Sequence, residues 1–159
     1  MSGKIMAIFF AALLLLGGAG LYYLQVYYYY REVPAAEIPT AMTLVGADGQ
    51  PVSIPVSGFK GIYSVSTPIG NRACFTTTPA EAAAAEPYDK PTPLGAPSWF
   101  GCFDYGQITD DIESGAAKAY LGQKNIAPKI DNVIAVYPDG RAYEWRQPNE
   151  EAEEKRTID

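Results

Sequence analysis

Residues 132–147 read NVIAVYPDGRAYEWRQ. Pro138-Asp139-Gly140 carries turn chemistry: proline presets φ, aspartate bonds to its own backbone, and glycine accepts positive φ. Alternating apolar runs flank it, Val133 to Tyr137 and Ala142 to Trp145, so the stretch predicts a β-hairpin. A hairpin this clear, with only one short amphipathic stretch elsewhere to compete with it, points to an antiparallel sheet.

Outward from the hairpin the same grammar repeats. MTLVGADGQPVSIPV (42–56) places Ala47-Asp48-Gly49-Gln50 between two apolar runs and reads as a second hairpin. GIYSVS (61–66) and RACFTTT (72–78) read as strands on either side of Thr67–Asn71. AKAYLG (117–122) fits a helical turn or a strand, and strand is the reading adopted. Asp104 predicts a helix cap for Tyr105 to Ser114, with Ile108 and Ile112 one turn apart on the inner face and Gly115 as the stop. Residues 79–98 hold five prolines and a run of alanines, which predicts a long irregular or partly extended loop. The expected class is α+β: an N-terminal transmembrane helix, then a small, mainly antiparallel sheet domain with one short helix.

The N-terminus has a different character. From Ile5 to about Tyr28 only Gln25 is strongly polar, and about 20 apolar residues suffice to span a bilayer core. Ile5 to Leu16 alone has the length of a signal-peptide core, and Gly18, Ala19 and Gly20 fit a cleavage site, so a cleaved signal competes with an uncleaved anchor. The apolar and aromatic residues beyond Gly20 favour the anchor. Tyrosine has an apolar ring and a hydroxyl that seeks water, so Tyr22, Tyr23, Tyr27, Tyr28, Tyr29 and Tyr30 predict an interfacial belt. Lys4 and the terminal amine predict a cytoplasmic N-terminus, with the bulk of the chain outside, in a periplasm-like space. Ala7, Ala11 and Gly18 share one helical face, where small side chains admit a second helix; common membrane-helix composition explains them equally well. The expected organisation is a cytoplasmic end (1–4), a span with its belt (5–30), a tether (31–40), an exterior domain (41–147) and an acidic disordered tail (148–159).

Composition excludes more chemistry than it suggests. The 159 residues carry a net charge of −6, only twelve Lys and Arg, and no histidine. That is no footprint for nucleic acid, and it removes the commonest general base and metal ligand. Asp110, Asp111 and Glu113 cluster on the short helix, where a solvated face is the expected reading. Asp48-Gly49 and Asp139-Gly140 lack the alternating acidic ligands of a calcium loop. Gly17, Gly18 and Gly20 lie within the apolar run and cradle no phosphate. No catalytic, cofactor-binding or metal-ligating set is predicted.

Cys74 and Cys102 are the only cysteines, and in an oxidising compartment they predict one disulfide. Trp99 and Phe100, beside Cys102, are expected to pack over that bond; the alternative is a docking hot spot for a partner. Glu150, Glu151, Glu153 and Glu154 concentrate negative charge in the tail, either as a solubilising end or as an attractor for a basic periplasmic protein such as a cationic c-type cytochrome.

The order YYLQVYYYYREV, GF-x-GI, RACFTT, PLGAPSWFGCFD and VIAVYPDGRAYEWRQ resembles an uncharacterised family of small alphaproteobacterial membrane-anchored proteins, over roughly residues 1–147. Some of its members are labelled "histidine kinase". This chain has no histidine to phosphorylate and no Gly-rich ATP box. The function expected is a non-catalytic accessory or structural subunit of a larger inner-membrane complex, the resemblance suggesting a respiratory or photosynthetic one. The alternative is a transient assembly or recruitment factor for such a complex. Its expected partners are the lipid bilayer and an integral membrane protein complex, with no cofactor.

Overall fold

The computed structural model describes residues 2–153. Helix α1 (Gly3–Tyr23) runs on through a π-helical segment (Leu24–Tyr28), and together they make one apolar helix of 26 residues. At 1.5 Å per residue it is about 39 Å long, more than the roughly 30 Å of a bilayer core. None of its residues is buried against the rest of the chain. It is long and apolar enough to cross a membrane once.

The remainder follows in the order β1 (Tyr30–Glu32), a 3₁₀ turn (Ala35–Glu37), β2 (Ala41–Val45), β3 (Pro51–Pro55), β4 (Ser57–Ser64), β5 (Arg72–Thr76) and α2 (Pro79–Ala82). Then come α3 (Tyr105–Glu113), β6 (Lys118–Ala127), β7 (Ile130–Val136), β8 (Arg141–Pro148) and α4 (Glu150–Glu153). Six strands form one sheet ordered β1-β4-β5-β8-β7-β6 with every pairing antiparallel, while β2 and β3 form a separate hairpin. The class is α+β, as the sequence predicts.

The 132–147 hairpin is β7–β8, in the register Val136↔Ala142 and Val133↔Trp145. Gly140 sits at φ 91°, a conformation that favours glycine, and Asp139 Oδ1 accepts from the Arg141 amide at 3.0 Å. One feature departs from the predicted alternation. Val133, Ile134, Ala135 and Val136 are all buried, because both faces of the sheet are covered. On one face Leu44 and Ile54 of the β2–β3 hairpin and Ala82 of α2 pack with Phe75, Ile134 and Val136. On the other, Phe100, Phe103 and Ile108 pack with Cys74, Val133 and Trp145.

Helix α3 begins where Asp104 Oδ1 accepts from the amides of Gly106 and Gln107, both at 3.1 Å, and stops at Gly115, with φ 81°. Ile108 is buried and Ile112 half-buried, on the predicted face. AKAYLG lies in β6 except for its first residue.

Two boundaries shift. Tyr30, expected in the span, and Arg31 and Glu32, expected in the tether, lie in β1 and pair with Ser64, Tyr63 and Ile62. Gly61 permits this close approach, since a Cβ there would come within 3.0 Å of Val33 and 2.5 Å of the Phe59 ring. The tail predicted as disordered from Pro148 is ordered through Glu153, and residues 154–159 lie outside the described residues. Pro148 closes β8, and Asn149 is buried, its amide group donating to Asp131 Oδ1 at 2.9 Å. A burst of glutamates hides this single buried amide from a compositional reading.

Candidate functional site

The junction between the apolar helix and the sheet is built more closely than a tether requires. A helix end leaves its last carbonyls without partners. Here the Trp99 indole Nε1 donates to the Val26 carbonyl at 2.7 Å, across 73 residues of chain. The Arg31 guanidinium donates to the carbonyls of Tyr28 and Tyr30 and lies 5.4 Å from the Tyr28 ring centroid. A cation at a helix C-terminus also offsets the dipole there. Tyr30 then meets Trp99 edge-on, with ring centroids 6.5 Å apart. The helix and the domain are therefore fastened together at the point where the helix ends.

The six tyrosines divide at this junction. Tyr22, Tyr23, Tyr27 and Tyr28 are exposed, with Tyr23 and Tyr27 stacked at 6.0 Å, whereas Tyr29 and Tyr30 are half-buried. Only the first four are free to form an outward belt. Ala7, Ala11 and Gly18 are exposed, and a Cβ at Gly18 would meet nothing within 4 Å.

Cys74 and Cys102 form the predicted disulfide, their Cα atoms 6.4 Å apart. It pins the 99–103 segment to β5 in the centre of the sheet. Phe100 is buried in the cluster that holds Cys74; Trp99 is half-buried and packs against the same cluster. Both residues also line a groove of about 580 Å³ beside the junction, with Glu32, Val33, Ala35, Ile38, Phe59 and Lys60 on its other walls. Packing and docking are thus compatible readings of the same two side chains.

Arg72 holds the Pro-rich loop in place, a role the sequence does not signal. It is buried, and its guanidinium donates to the carbonyls of Leu94 (2.8 Å), Gly95 (3.1 Å), Ile69 (2.7 Å) and Asn71. Burial lowers its pKa to about 10, which leaves it a cation at neutral pH. The first four residues of the predicted 79–98 loop form α2, and the rest is further tied down by bridges at Ala85 and Pro87 and by the Tyr88 amide donating to the Ala119 carbonyl at 3.0 Å.

A polar network lies where the loop meets the ends of β7 and β8. Asp131 is buried and accepts from Tyr88 Oη (3.0 Å), the Asn125 amide (2.9 Å) and Asn149 Nδ2 (2.9 Å). Burial, then the Asp131 charge, push the Tyr88 hydroxyl well above its ordinary value. Gln147 Oε1 accepts from Trp145 Nε1 (2.9 Å) and the Thr92 amide (2.7 Å). Among the described residues the non-glycines at positive φ are Lys90, Asn125 and Lys129, and each places a backbone group in this network. The network offsets their strain.

The remaining predicted residues lie apart. Asp111 accepts from Tyr137 Oη at 2.8 Å, so this member of the Asp110, Asp111, Glu113 group fastens α3 to the sheet. Glu150 reaches Lys90 at 4.0 Å, and the Glu151 carbonyl accepts from Lys129 Nζ at 2.9 Å. Glu153 falls in α4, and Glu154 lies outside the described residues. Glu144 carries no signal in the sequence. It lies half-buried beneath the β2–β3 hairpin beside Asn132, and burial raises its pKa despite help from Asn132 and Arg146.

A family model, described as a family of unknown function (DUF6446), matches residues 41–156. The chain belongs to that family. No curated protein and no solved structure matches it.

Proposed function

On the premise of that membership, which assigns no activity, we propose that the chain is a non-catalytic accessory subunit of a larger inner-membrane complex. Its single helix packs against the complex within the bilayer, and its domain caps the outer, periplasmic face. A respiratory or photosynthetic complex is the partner proposed. The observation that carries this reading is the Trp99–Val26 hydrogen bond, with Arg31 capping the same helix end. A mere anchor gains nothing from a fixed angle between helix and domain, whereas a subunit that must meet one face of a complex gains a preorganised surface. The exposed Ala7, Ala11 and Gly18 face supports the intramembrane half of the proposal.

Photo-crosslinkers placed at positions 11 and 18, and at Leu16 on the opposite face, test it in intact membranes. Protein adducts from 11 and 18 with lipid adducts from 16 support a packed helix. Lipid adducts from all three reduce the helix to an anchor.

A second reading is a transient recruitment factor. It is favoured by the carboxylates of Glu86, Asp89, Glu150 and Glu151, which line one cleft over the buried Asp131, with Lys124 as its cation. Such a surface would speed encounter with a basic protein, for example a c-type cytochrome, mainly at low salt.

A further inference from the structure

The groove beside the helix end has chemistry that matches its position. Its apolar walls include Val33, Ile38, Phe59 and Trp99, and Trp99 is the residue bonded to the Val26 carbonyl in the last turn of the membrane-length helix. If that helix spans the bilayer, the groove opens at headgroup depth. Two charges of opposite sign line it, Glu32 and Lys60. Glu32 pairs with Ile62, two residues beyond Lys60 on β4, so the two stand diagonally across neighbouring strands, about 7–8 Å apart. Among the described residues neither forms an ion pair with the other or with any further group.

An apolar trough carrying one unbridged cation and one unbridged anion is complementary to a molecule with the same three parts. We propose that the groove binds a zwitterionic, amine-bearing phospholipid from the surrounding bilayer. Its phosphate sits on Lys60, its ammonium on Glu32, and its glycerol and upper acyl carbons lie against Trp99 and Phe59. The site rests on the membrane-anchored reading of the helix. It would seat an ordered lipid between the domain and the bilayer and so reinforce the angle that the Trp99–Val26 bond sets. A partner protein's apolar segment would need no such charge pair, and an anionic lipid would meet Glu32 unfavourably.

Native mass spectrometry of the full chain, purified in mild detergent and titrated with ethanolamine-headed and glycerol-headed phospholipids, tests the proposal. The expected result is one retained ethanolamine lipid per chain, preferred about tenfold over the glycerol lipid. Lys60→Glu and Glu32→Lys should each cut that retention about tenfold, the scale of a lost charge-assisted contact. Thermal melting of each variant establishes that it is folded. Equal retention of both lipids, preference for the glycerol headgroup, or unchanged retention in either variant would overturn the proposal. So would a photo-crosslinker at Ala35 that captures protein in native membranes. Carbonate extraction separates the two levels of the claim. A chain released by carbonate removes the anchored reading and this site with it, whereas a carbonate-resistant chain without a selective lipid removes the site alone.

Discussion

Removing the disulfide by Cys74→Ala with Cys102→Ala should be the most damaging small change to the domain. The bond joins residues 28 apart, one in a central strand and one in the aromatic segment that forms the groove wall. In the chain-entropy treatment, a loop of that size restricts the unfolded ensemble by about 3.6 kcal/mol at 25 °C. Unfolding entropy of about 2.1 cal/mol/K per residue, over roughly 120 folded residues, converts that loss to a fall in Tm of about 14 °C. Alanine is the suitable replacement because Cys74 is buried among Phe100, Phe103 and Trp145, where a hydroxyl would go unpaired. Thermal unfolding of the full chain in mild detergent, followed by the combined fluorescence of Trp99 and Trp145, reads the change. Each single Cys→Ala variant should match the double, since either one opens the loop. A fall of less than about 5 °C, or singles much milder than the double, would refute the loop-entropy argument.

Other perturbations follow from the same geometry. Arg72→Lys should lower stability by about 2–3 kcal/mol in denaturant melts, because one ammonium cannot serve carbonyls on both sides of a planar fork; proteolysis should then reach loop 79–98 first. Truncation after Gln147 should cost about 1–2 kcal/mol in denaturant melts through loss of the Asn149 bonds. Glu144→Gln should raise Tm at pH 7 and have little effect near pH 4. With its folded pKa raised, Glu144 binds its proton more tightly folded than unfolded, so its contribution is present at low pH and lost as pH rises through the folded value.

Much of this architecture is legible because its signals are local. The β7–β8 turn needs only Pro138-Asp139-Gly140, and α3 needs only Asp104 and a stop at Gly115. The disulfide followed from a count of two. Long-range pairings left no such trace. Nothing in YYLQVYYYY marks Val26 as the carbonyl that Trp99 will find, and nothing in RACFTT separates a buried Arg72 from an exposed one. Nothing in AYEWRQ marks Glu144 as half-buried under a hairpin, because the cover on that face of the strand comes from residues far away in the chain. Asn149 is hidden by composition, followed at once by Glu150 and Glu151, which are exposed. The site residues that sequence reasoning did find, Trp99 and Phe100, were found through their proximity to Cys102.

The claim that the chain is a fixed subunit is tested most directly by its stoichiometry in the membrane. The full chain, tagged at its C-terminus and extracted from native membranes in mild detergent, should be passed through size exclusion and quantified by peptide mass spectrometry. The account predicts co-elution with a multispan integral membrane complex at a constant ratio of about one to one that survives washing. Elution of the chain alone, or a ratio that falls with each wash, would contradict it.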